Sequence, residues 1–386
     1  MAMLSPKLAS ELSSSVYDLI GDSSGLGFGT QYIRNNFEFQ RSGIGKTGGF
    51  ILDRQSGFAA MGVGKDRFQG DAIIAIRGTQ FTSAADWSTN AQIGLRMADN
   101  KQPVHAGFQR AFSSLRPQFQ VFLDQWRSSN PGAAVHCVGH SLGGAIATLT
   151  ADWVAGHYTD NVNLYTFGAP RVGLSGFSIK NTASVNKIFR CTHGADLVPK
   201  VPLWPFIHSP YKGVEYRLDS SQGLSIAAHG MDPKTGAVPG YLSTANTEDW
   251  GRLRTRASDF LQPVKLKYPN RHQASFSDYW CERLSAALVT ILRETGHLAA
   301  ITVQAAISGG ATFYDLVAQT LEQIARAGES AASDVKGLLG HMLAFAGAVV
   351  TTVADLTYKT IRTIFDMLLK RLYAGVREAL AWVHRS

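Results

Sequence analysis

The segment 139–143, which reads GHSLG, constrains the fold of this chain more than any other part of its sequence. It lies directly between an apolar run at 133–138 and a helical pattern of small residues at 143–156. A G-x-S-x-G turn between a strand and a helix strains the backbone of its serine and raises the hydroxyl above the sheet. Its glycines leave room for the neighbouring elements. The pattern therefore predicts that Ser141 is a nucleophile; the alternative is an ordinary glycine-rich turn.

Short apolar runs, separated by turns and helical patterns, extend from about residue 48 to residue 210. Strands are predicted at 49–52, 58–63, 72–76, 133–138, 162–167 and 185–190. Strands that alternate with helices are typical of a mostly parallel sheet that is covered on both faces. The stretch 211–271 mixes turns and polar residues, and we expect irregular structure there with a short helix near 248–262.

Helical periodicity replaces this pattern beyond residue 276, and no proline follows Pro269. Helices are predicted at 277–294, 297–308, 312–327, 331–348 and 352–384. We therefore predict two domains, a catalytic domain at 1–290 and a helical extension at 291–386. The last predicted helix is basic and amphipathic, which fits either a bundle packed on the first domain or a surface that docks on an anionic membrane.

Composition excludes several classes of protein. With 45% hydrophobic and 17% charged residues, the chain of 386 residues has enough apolar surface for a large core, so global disorder is excluded. Only three cysteines occur, far apart and without a CxxC pair, which excludes a disulfide scaffold and a cysteine zinc site. No histidine or carboxylate cluster has metal-ligand spacing, so neither a metal nor another cofactor is predicted. The formal charge of +8 favours anionic partners, but no motif indicates nucleic acid.

The first residues contain one lysine before a serine-rich amphipathic stretch, and they lack the uninterrupted apolar core of a signal peptide. We therefore expect synthesis in the cytoplasm without a cleaved leader, and any export by a leaderless route. No segment of the first 290 residues is apolar enough to cross a bilayer, while the uncharged stretch 337–354 is borderline. A peripheral membrane location is a further expectation.

A serine hydroxyl becomes a nucleophile only when a histidine accepts its proton and a carboxylate holds that histidine in place. In folds with this turn, the chain order is serine, acid, histidine. Asp196 lies just past a buried-looking strand, where side chains emerge at the carboxyl edge of a sheet, and it ranks first as the acid; Asp219 is the weaker alternative. The oxyanion of the intermediate needs hydrogen-bond donors, for which we predict the N–H of Leu142 and the N–H and hydroxyl of Thr79.

Five stretches of the sequence resemble one known family. They are 76–79 together with 86–87, 104–108, 139–144, 166–173 and 190–199. In this order and spacing they are similar to the motifs of the class 3 lipases, the fungal-lipase-type branch of the α/β-hydrolases, over roughly residues 12–285. The resemblance implies an α/β-hydrolase fold with Ser141 as nucleophile, Asp196 as acid and Thr79 as the side-chain oxyanion donor.

The same resemblance places a lid at residues 80–94, where Phe81 and Trp87 supply large aromatic side chains. A lid that covers the serine opens at a lipid surface and exchanges apolar contacts with the protein for contacts with lipid. The alternative is an ordinary surface helix with its aromatic side chains turned inward.

The histidine of the site is chosen among those that follow Asp196. The family places it in a loop just before a helix with aromatic and small apolar residues. His272, which precedes an aromatic residue and an apolar helical run, resembles that arrangement and is the first choice. His229 is the runner-up. His140 and His193, which lie beside the serine and shortly before the acid, are predicted to fix loops through hydrogen bonds.

Together these features predict a serine carboxylester hydrolase that acts on lipids through an acyl-enzyme on Ser141, as a triacylglycerol lipase or a phospholipase A1. The alternatives are a non-lipid esterase such as a feruloyl esterase, and a membrane-binding or interaction module on a degenerate hydrolase core. Expected partners are the lipid substrate and an anionic membrane surface, reached through the C-terminal helices. A bacterial antagonistic effector, exported without a leader, would also have a delivery or immunity protein as partner.

Overall fold

A computed structural model of the chain describes residues 2–19, 28–47, 54–78, 94–219, 223–231, 238–257, 263–301 and 313–383. The predicted oxyanion donor Thr79, the predicted lid residues Phe81 and Trp87 and the predicted strand 49–52 lie outside these residues. The candidates for the serine, the acid and the histidine all lie inside them.

The centre of the fold is a β-sheet of eight strands among the described residues, accompanied by a separate pair of short strands. The strands in chain order are β1 (Phe37–Thr47), β2 (Arg54–Gly64), β3 (Ala72–Ile76), β4 (Leu95–Met97), β5 (Pro103–His105), β6 (Val135–His140), β7 (Val162–Phe167), β8 (Lys187–Thr192), β9 (Val214–Arg217) and β10 (Thr255–Ala257). The spatial order in the sheet is β1-β2-β3-β6-β7-β8-β9-β10, and β4 pairs with β5. Pairing is parallel from β3 to β9 and antiparallel at both edges, which confirms the predicted mostly parallel sheet.

Apolar runs in the sequence account for the central strands. β3 and β7 coincide with predicted strands, while β6 and β8 are each displaced by two residues from theirs. Every residue of β3 is buried. Its side chains alternate between two apolar clusters, with Ile74 and Ile76 in one and Ile73 and Ala75 in the other. Burial on both faces explains why this strand is a continuous apolar run rather than an alternating one.

The edges of the sheet differ from the sequence predictions. β1 mixes its apolar residues with glycine and charged residues, which leave no periodic strand signal, and its pairing with β2 defines it. Of the short helix predicted near 248–262, the described residues form only the 3₁₀ turn Trp250–Arg252 before β10, which pairs with β9, and residues 258–262 lie outside them. In both places the neighbouring strand, rather than local propensity, decides the structure.

Helices cover both faces of the sheet. In chain order they are α1 (Pro6–Ser15), α2 (Gln31–Asn36), α3 (Ala106–Ser129), α4 (Leu142–His157), α5 (Ser175–Ser184), α6 (Tyr241–Thr244), α7 (Asp278–Glu294), α8 (Phe313–Arg326), α9 (Glu329–Phe345) and α10 (Tyr358–Val383). The ends of α7 and α8 lie within one residue of those predicted from helical periodicity. α9 and α10 were also predicted, but their observed ends differ from the predicted ones by more than that at one or both ends. The helix predicted at 297–308 lies mostly outside the described residues.

The C-terminal helices share one apolar core with the sheet. The apolar face of α10, which includes Ile361, Phe365 and Leu368, is buried in the same cluster as Ile74 of β3. Each fully buried large apolar side chain stabilises such packing by about 1.5–3 kcal/mol. The predicted domain boundary at residue 290 lies inside α7, which continues through it without a break. The apolar face of the last predicted helix is therefore packed inside the protein.

Candidate active site

Ser141 lies at the sharp turn where β6 ends and α4 begins. Its backbone φ of 58° and ψ of −131° lie in a region that L residues rarely adopt, so the turn is strained. A Cβ on Gly139 would collide with the carbonyl of Gly143, and a Cβ on Gly143 would collide with the carbonyl of Ile76 in the neighbouring strand. Close packing therefore requires both glycines of the motif, and this packing holds the serine at the carboxyl edge of the sheet.

Ser141, His229 and Asp196 form a continuous hydrogen-bonded array. Oγ of Ser141 lies 2.8 Å from Nε2 of His229. Nδ1 of the same ring lies 2.9 Å from Oδ2 and 3.1 Å from Oδ1 of Asp196. In this arrangement Nδ1–H donates to the carboxylate and Nε2 accepts from the serine hydroxyl. His229 and Asp196 are 0% exposed and Ser141 is 3% exposed, so bulk water does not compete for these bonds.

Asp196 follows β8 and accepts hydrogen bonds from two further groups besides His229. The hydroxyl of Tyr241 donates to Oδ2 at 2.7 Å, and the backbone N–H of Val198 donates to Oδ1 at 2.9 Å. Burial and the neighbouring carboxylate raise the pKa of Tyr241 well above its ordinary value, so its hydroxyl keeps the proton that it donates. A buried carboxylate is stable only among such donors. Asp219, the weaker alternative, instead accepts from a backbone N–H of the loop before Asp196.

The structure corrects the predicted choice of histidine. His272 lies exposed in the 3₁₀ turn Tyr268–Gln273, whereas His229 lies between the serine and the acid. His272 as first choice is therefore wrong, and the runner-up occupies the site. The physical reason is burial, because a base that bonds two buried partners must itself be buried. Small, apolar neighbours of His229 are the sequence signal for this, while Arg271 and Gln273 beside His272 indicate solvent.

Three backbone carbonyls hold the turn that carries His229. Nδ1 of His193 donates to the carbonyl of Ala228 at 2.7 Å, and Nε2 of His140 donates to the carbonyl of His229 at 2.8 Å. The N–H of Tyr241 donates to the next carbonyl at 3.0 Å. His140 and His193 thus fix this turn through hydrogen bonds, which is the kind of role that the sequence predicts for them.

Tyr17, which sequence reasoning did not single out, supports the site from the N-terminal segment. Its hydroxyl lies 2.7 Å from Nδ1 of His140. Because His140 donates through Nε2, its Nδ1 accepts and the tyrosine donates. The N–H of Gly78 donates to the same hydroxyl, and burial raises the pKa of Tyr17 far above its ordinary value. Tyr17 therefore ties the loop at Gly78 to the residue before the serine, although no local motif marks it.

The predicted oxyanion donors are Leu142 and Thr79. Leu142 is the first residue of α4, at the positive end of the helix dipole, and is buried beside the serine. Thr79 lies outside the described residues, but Gly78 before it approaches the serine closely, since a Cβ there would lie 3.0 Å from Cβ of Ser141. The loop that leads to Thr79 therefore reaches the nucleophile.

The described groups at this site are a hydroxyl, an imidazole and a carboxylate. This set performs nucleophilic catalysis assisted by a general base. Across the part of the chain that the structure describes, no group of three His, Cys, Asp or Glu side chains is arranged to hold a metal ion. The chemistry that these residues can perform is transfer of an acyl group to the serine.

The strand order and the serine turn define an α/β-hydrolase fold, and the Ser–His–Asp array marks Ser141 as its candidate nucleophile. The family model described as lipase (class 3) matches residues 73–206, which include Ser141 and Asp196. This match is what the chain's own motifs indicated, so the resemblance inferred from them is confirmed over this segment. His229 lies beyond the matched segment, so its placement depends on the structure of this chain.

Individual relatives cover part of the chain. The secreted mono- and diacylglycerol lipase 1 of Fusarium solani is 31% identical over 175 residues, which are 44% of this chain and 50% of that protein. The phospholipase A1-II 1 of Oryza sativa subsp. indica is 27% identical over 185 residues, 42% of this chain and 46% of that protein. The chain thus spans about half the length of these relatives. Among solved structures, a lipase from Rhizopus microsporus var. chinensis is 20% identical with a TM-score of 0.41, covering 55% of this chain and 72% of that one.

Proposed function

We propose that the protein is a serine hydrolase of carboxylic esters that acts on lipids. The observation that carries the proposal is the buried array in which His229 bridges Ser141 and Asp196 on a strained turn. The relatives named as a mono- and diacylglycerol lipase and as a phospholipase A1 support an acylglycerol or a phospholipid as the substrate. The proposed activity is therefore that of a triacylglycerol lipase or a phospholipase A1.

Acylation begins when Oγ of Ser141 attacks the carbonyl carbon of the ester and Nε2 of His229 accepts the hydroxyl proton. Asp196 keeps the ring in the tautomer with hydrogen on Nδ1 and stabilises the imidazolium that forms. The oxyanion of the tetrahedral intermediate accepts from the N–H of Leu142, and we assign Thr79 as the second donor. His229 then gives its proton to the leaving alcohol, and the acyl group remains on Ser141.

Deacylation repeats these steps with water in place of the alcohol. Nε2 of His229 accepts a proton from the water as its oxygen attacks the acyl carbonyl, and the same donors stabilise the second oxyanion. Collapse of this intermediate breaks the bond to Oγ, and His229 returns the proton to Ser141. The fatty acid leaves and the array is restored.

Labelling with a fluorophosphonate probe tests the nucleophile. We expect the wild type to be labelled at Ser141 and Ser141→Ala to remain unlabelled, because the probe reacts with a serine that its base has activated. Heat-unfolded wild type is the control, since a merely exposed serine would still react there. Absence of label on the folded wild type would contradict the proposal and favour a binding module on an inactive core.

Product analysis tests the substrate class. Thin-layer chromatography after incubation with mixed acylglycerols and phospholipids should show release of fatty acid by the wild type and none by Ser141→Ala. If the probe labels the protein, but the protein hydrolyses feruloyl esters and leaves every lipid intact, the proposal of a serine esterase stands. The proposal of a lipid substrate is then wrong.

We further propose that the protein attaches peripherally to an anionic lipid surface through the turn between α9 and α10. At this turn Val349 is 101% exposed and Val350 is 68% exposed, so both valines are available to enter a lipid interface. In the described residues, no helix has the length and apolarity required to span a bilayer. The apolar face of α10 is itself buried, and Val349 and Val350 have the two largest exposed fractions among the exposed large apolar side chains of the described residues.

Positive charge in the helical extension is a property of the exposed face of α10 and not of the extension as a whole. Residues 291–386 contain nine Lys and Arg against eight Asp and Glu, so the extension as a whole is nearly neutral. The exposed face of α10 is more basic, and its exposed charged residues are Lys359, Lys370, Arg371, Arg377 and Glu378. Attraction of such a face to anionic lipid weakens with salt.

Replacing both valines with aspartate, Val349→Asp with Val350→Asp, should weaken binding to phosphatidylglycerol vesicles by about tenfold or more, because two apolar side chains become charged. Co-sedimentation measures the binding. Val121→Asp is the matched control, since Val121 is also exposed, at 48%, but lies on α3. Equal binding by the double variant and the wild type would contradict attachment through this turn.

A further inference from the structure

The C-terminal helix α10 packs on both loops that carry the base and the acid of the site. We name residues 225–231 the histidine loop and residues 194–198 the acid loop. The helix contacts the histidine loop at the turn Ala227–His229. Two of its residues, Gly375 and Trp382, each make one close approach to these loops. A helix far away in the sequence is thereby in contact with the surroundings of the active site.

Trp382 lies directly against Gly230, the residue after His229. A Cβ on Gly230 would lie 2.7 Å from Cζ3 and 3.5 Å from Cη2 of the indole. The backbone of Gly230 has a φ of −69° and a ψ of 151°, which any residue adopts. A side chain at this position would therefore have to displace the indole, although the backbone conformation would accept it.

Gly375 makes the corresponding contact with the acid loop. A Cβ on Gly375 would lie 2.7 Å from Cδ2 of Leu197, the residue that follows Asp196. Leu197 is buried. Glycine destabilises a helix interior relative to alanine, and the close approach of the acid loop accounts for its presence in α10. The same helix therefore packs tightly on the neighbours of both the acid and the base.

The histidine loop is fixed in two different ways. Its carbonyls at Ala228 and His229 accept hydrogen bonds from the imidazoles of His193 and His140. At the α-carbon of Gly230 the contact is apolar packing against Trp382. Loss of the indole would leave these hydrogen bonds in place, together with the one that the carbonyl of Gly230 accepts from the N–H of Tyr241, but would open a space beside the α-carbon of Gly230 into which the loop can shift.

We propose that Trp382 is a positioning residue that holds His229 in register with Ser141. The inference rests on the proposed function and names a residue on which its rate depends. Nε2 of His229 accepts from Oγ of Ser141 at 2.8 Å, and a misplacement of about 1 Å in such a contact can lower a rate by about 10²-fold. On this account the helical extension is part of the catalytic apparatus rather than an appended module.

Kinetics of the full-length protein test this role. Trp382→Ala is expected to lower kcat and the rate of fluorophosphonate labelling by about tenfold or more, while KM stays within about twofold, because the geometry of acylation changes and substrate binding does not. Trp382→Phe keeps an aromatic ring at the contact and should recover most of the loss. Met367→Ala is the control, since it removes an exposed side chain from the same helix. Its kcat should equal that of the wild type.

Gly230→Ala probes the same contact from the other side. Its backbone conformation accepts alanine, so the substitution disturbs mainly the indole. Because both changes disrupt one contact, Gly230→Ala combined with Trp382→Ala should be no slower than the slower single variant. The low-field proton resonance of the bond between His229 Nδ1 and Asp196 should shift or broaden in each single variant, as a readout that needs no substrate.

Wild-type kcat in folded Trp382→Ala, or losses that multiply in the double variant, would overturn the proposal. Circular dichroism and thermal melting show whether Trp382→Ala folds. If it does not fold, an unchanged kcat in Gly230→Ala overturns the proposal. The proposed function fails separately, when the wild type itself is not labelled at Ser141. A labelled wild type with unaffected variants removes only the positioning role of Trp382.

Discussion

His229→Ala is expected to lower kcat by about 10⁴-fold or more, whereas His272→Ala is expected to stay within about twofold of the wild type. Without His229, no described group lies between Oγ of Ser141 and the carboxylate of Asp196 to accept the serine proton. His272 lies exposed in a 3₁₀ turn and takes no part in the array. Initial rates on a short-chain p-nitrophenyl ester measure the difference.

The two histidine variants serve as matched controls for each other, because each removes one imidazole from a 3₁₀ turn. Thermal melting establishes that both are folded, which matters for His229→Ala because it empties a buried site. Retention of activity in His229→Ala together with its loss in His272→Ala would reverse the assignment of the base.

Asp196→Asn is expected to lower kcat by about 10⁴-fold while the protein stays folded. An asparagine can turn its amide N–H toward Nδ1 of His229, which favours the tautomer with hydrogen on Nε2. That tautomer cannot accept the proton of Ser141. The size of the asparagine matches that of the aspartate, so the packing around Tyr241 is retained and the effect falls on proton transfer.

Asp219→Asn is the matched control for the acid. Asp219 accepts a backbone N–H through Oδ1 at 2.6 Å, and the carbonyl oxygen of an asparagine accepts the same bond. We expect its kcat to stay within about fivefold of the wild type. A loss in Asp219→Asn as large as that in Asp196→Asn would mean that the array in the structure does not carry the reaction.

The basic amphipathic pattern at the C-terminus fits two outcomes at the sequence level, and the structure separates their parts. The apolar face of α10 is buried in the core, so the pattern indicates packing. The exposed basic face and the two valines before the helix are what remains for a lipid surface. The buried apolar face of α10 packs beside the active site, and its exposed basic face is the part that the proposed attachment to a membrane would use.

Local sequence was sufficient for the parts of the site that depend on neighbouring residues. The serine turn was predictable because its glycines and its place between a strand and a helix are adjacent in the chain. Asp196 was predictable because it closely follows a strand whose second half looks buried, at the carboxyl edge of the sheet. β3, a continuous apolar run, and β7, which is mostly apolar, were predictable because burial on both faces leaves a signal within a single segment.

Chain order and local structure could not decide between His229 and His272 as the base, since both follow the acid in chain order and both lie in loops. The partners of His229 and of the residues on either side of it come from several separate segments: β6 supplies His140, the loop after β8 supplies Asp196 and His193, and α6 supplies Tyr241. Tyr17 and Trp382, near the two ends of the chain, have no local motif at all.

The sequence by itself determined the resemblance to the class 3 lipases, the candidates for nucleophile and acid, and the central strands, because each is encoded by residues that are close together in the chain. Only the tertiary structure decided which histidine lies between Ser141 and Asp196, that Tyr17 joins the loop at Gly78 to the serine turn, and that the C-terminal helix packs beside His229. These contacts join residues far apart in the chain, and burial and hydrogen bonding select them only after the sheet and helices have assembled.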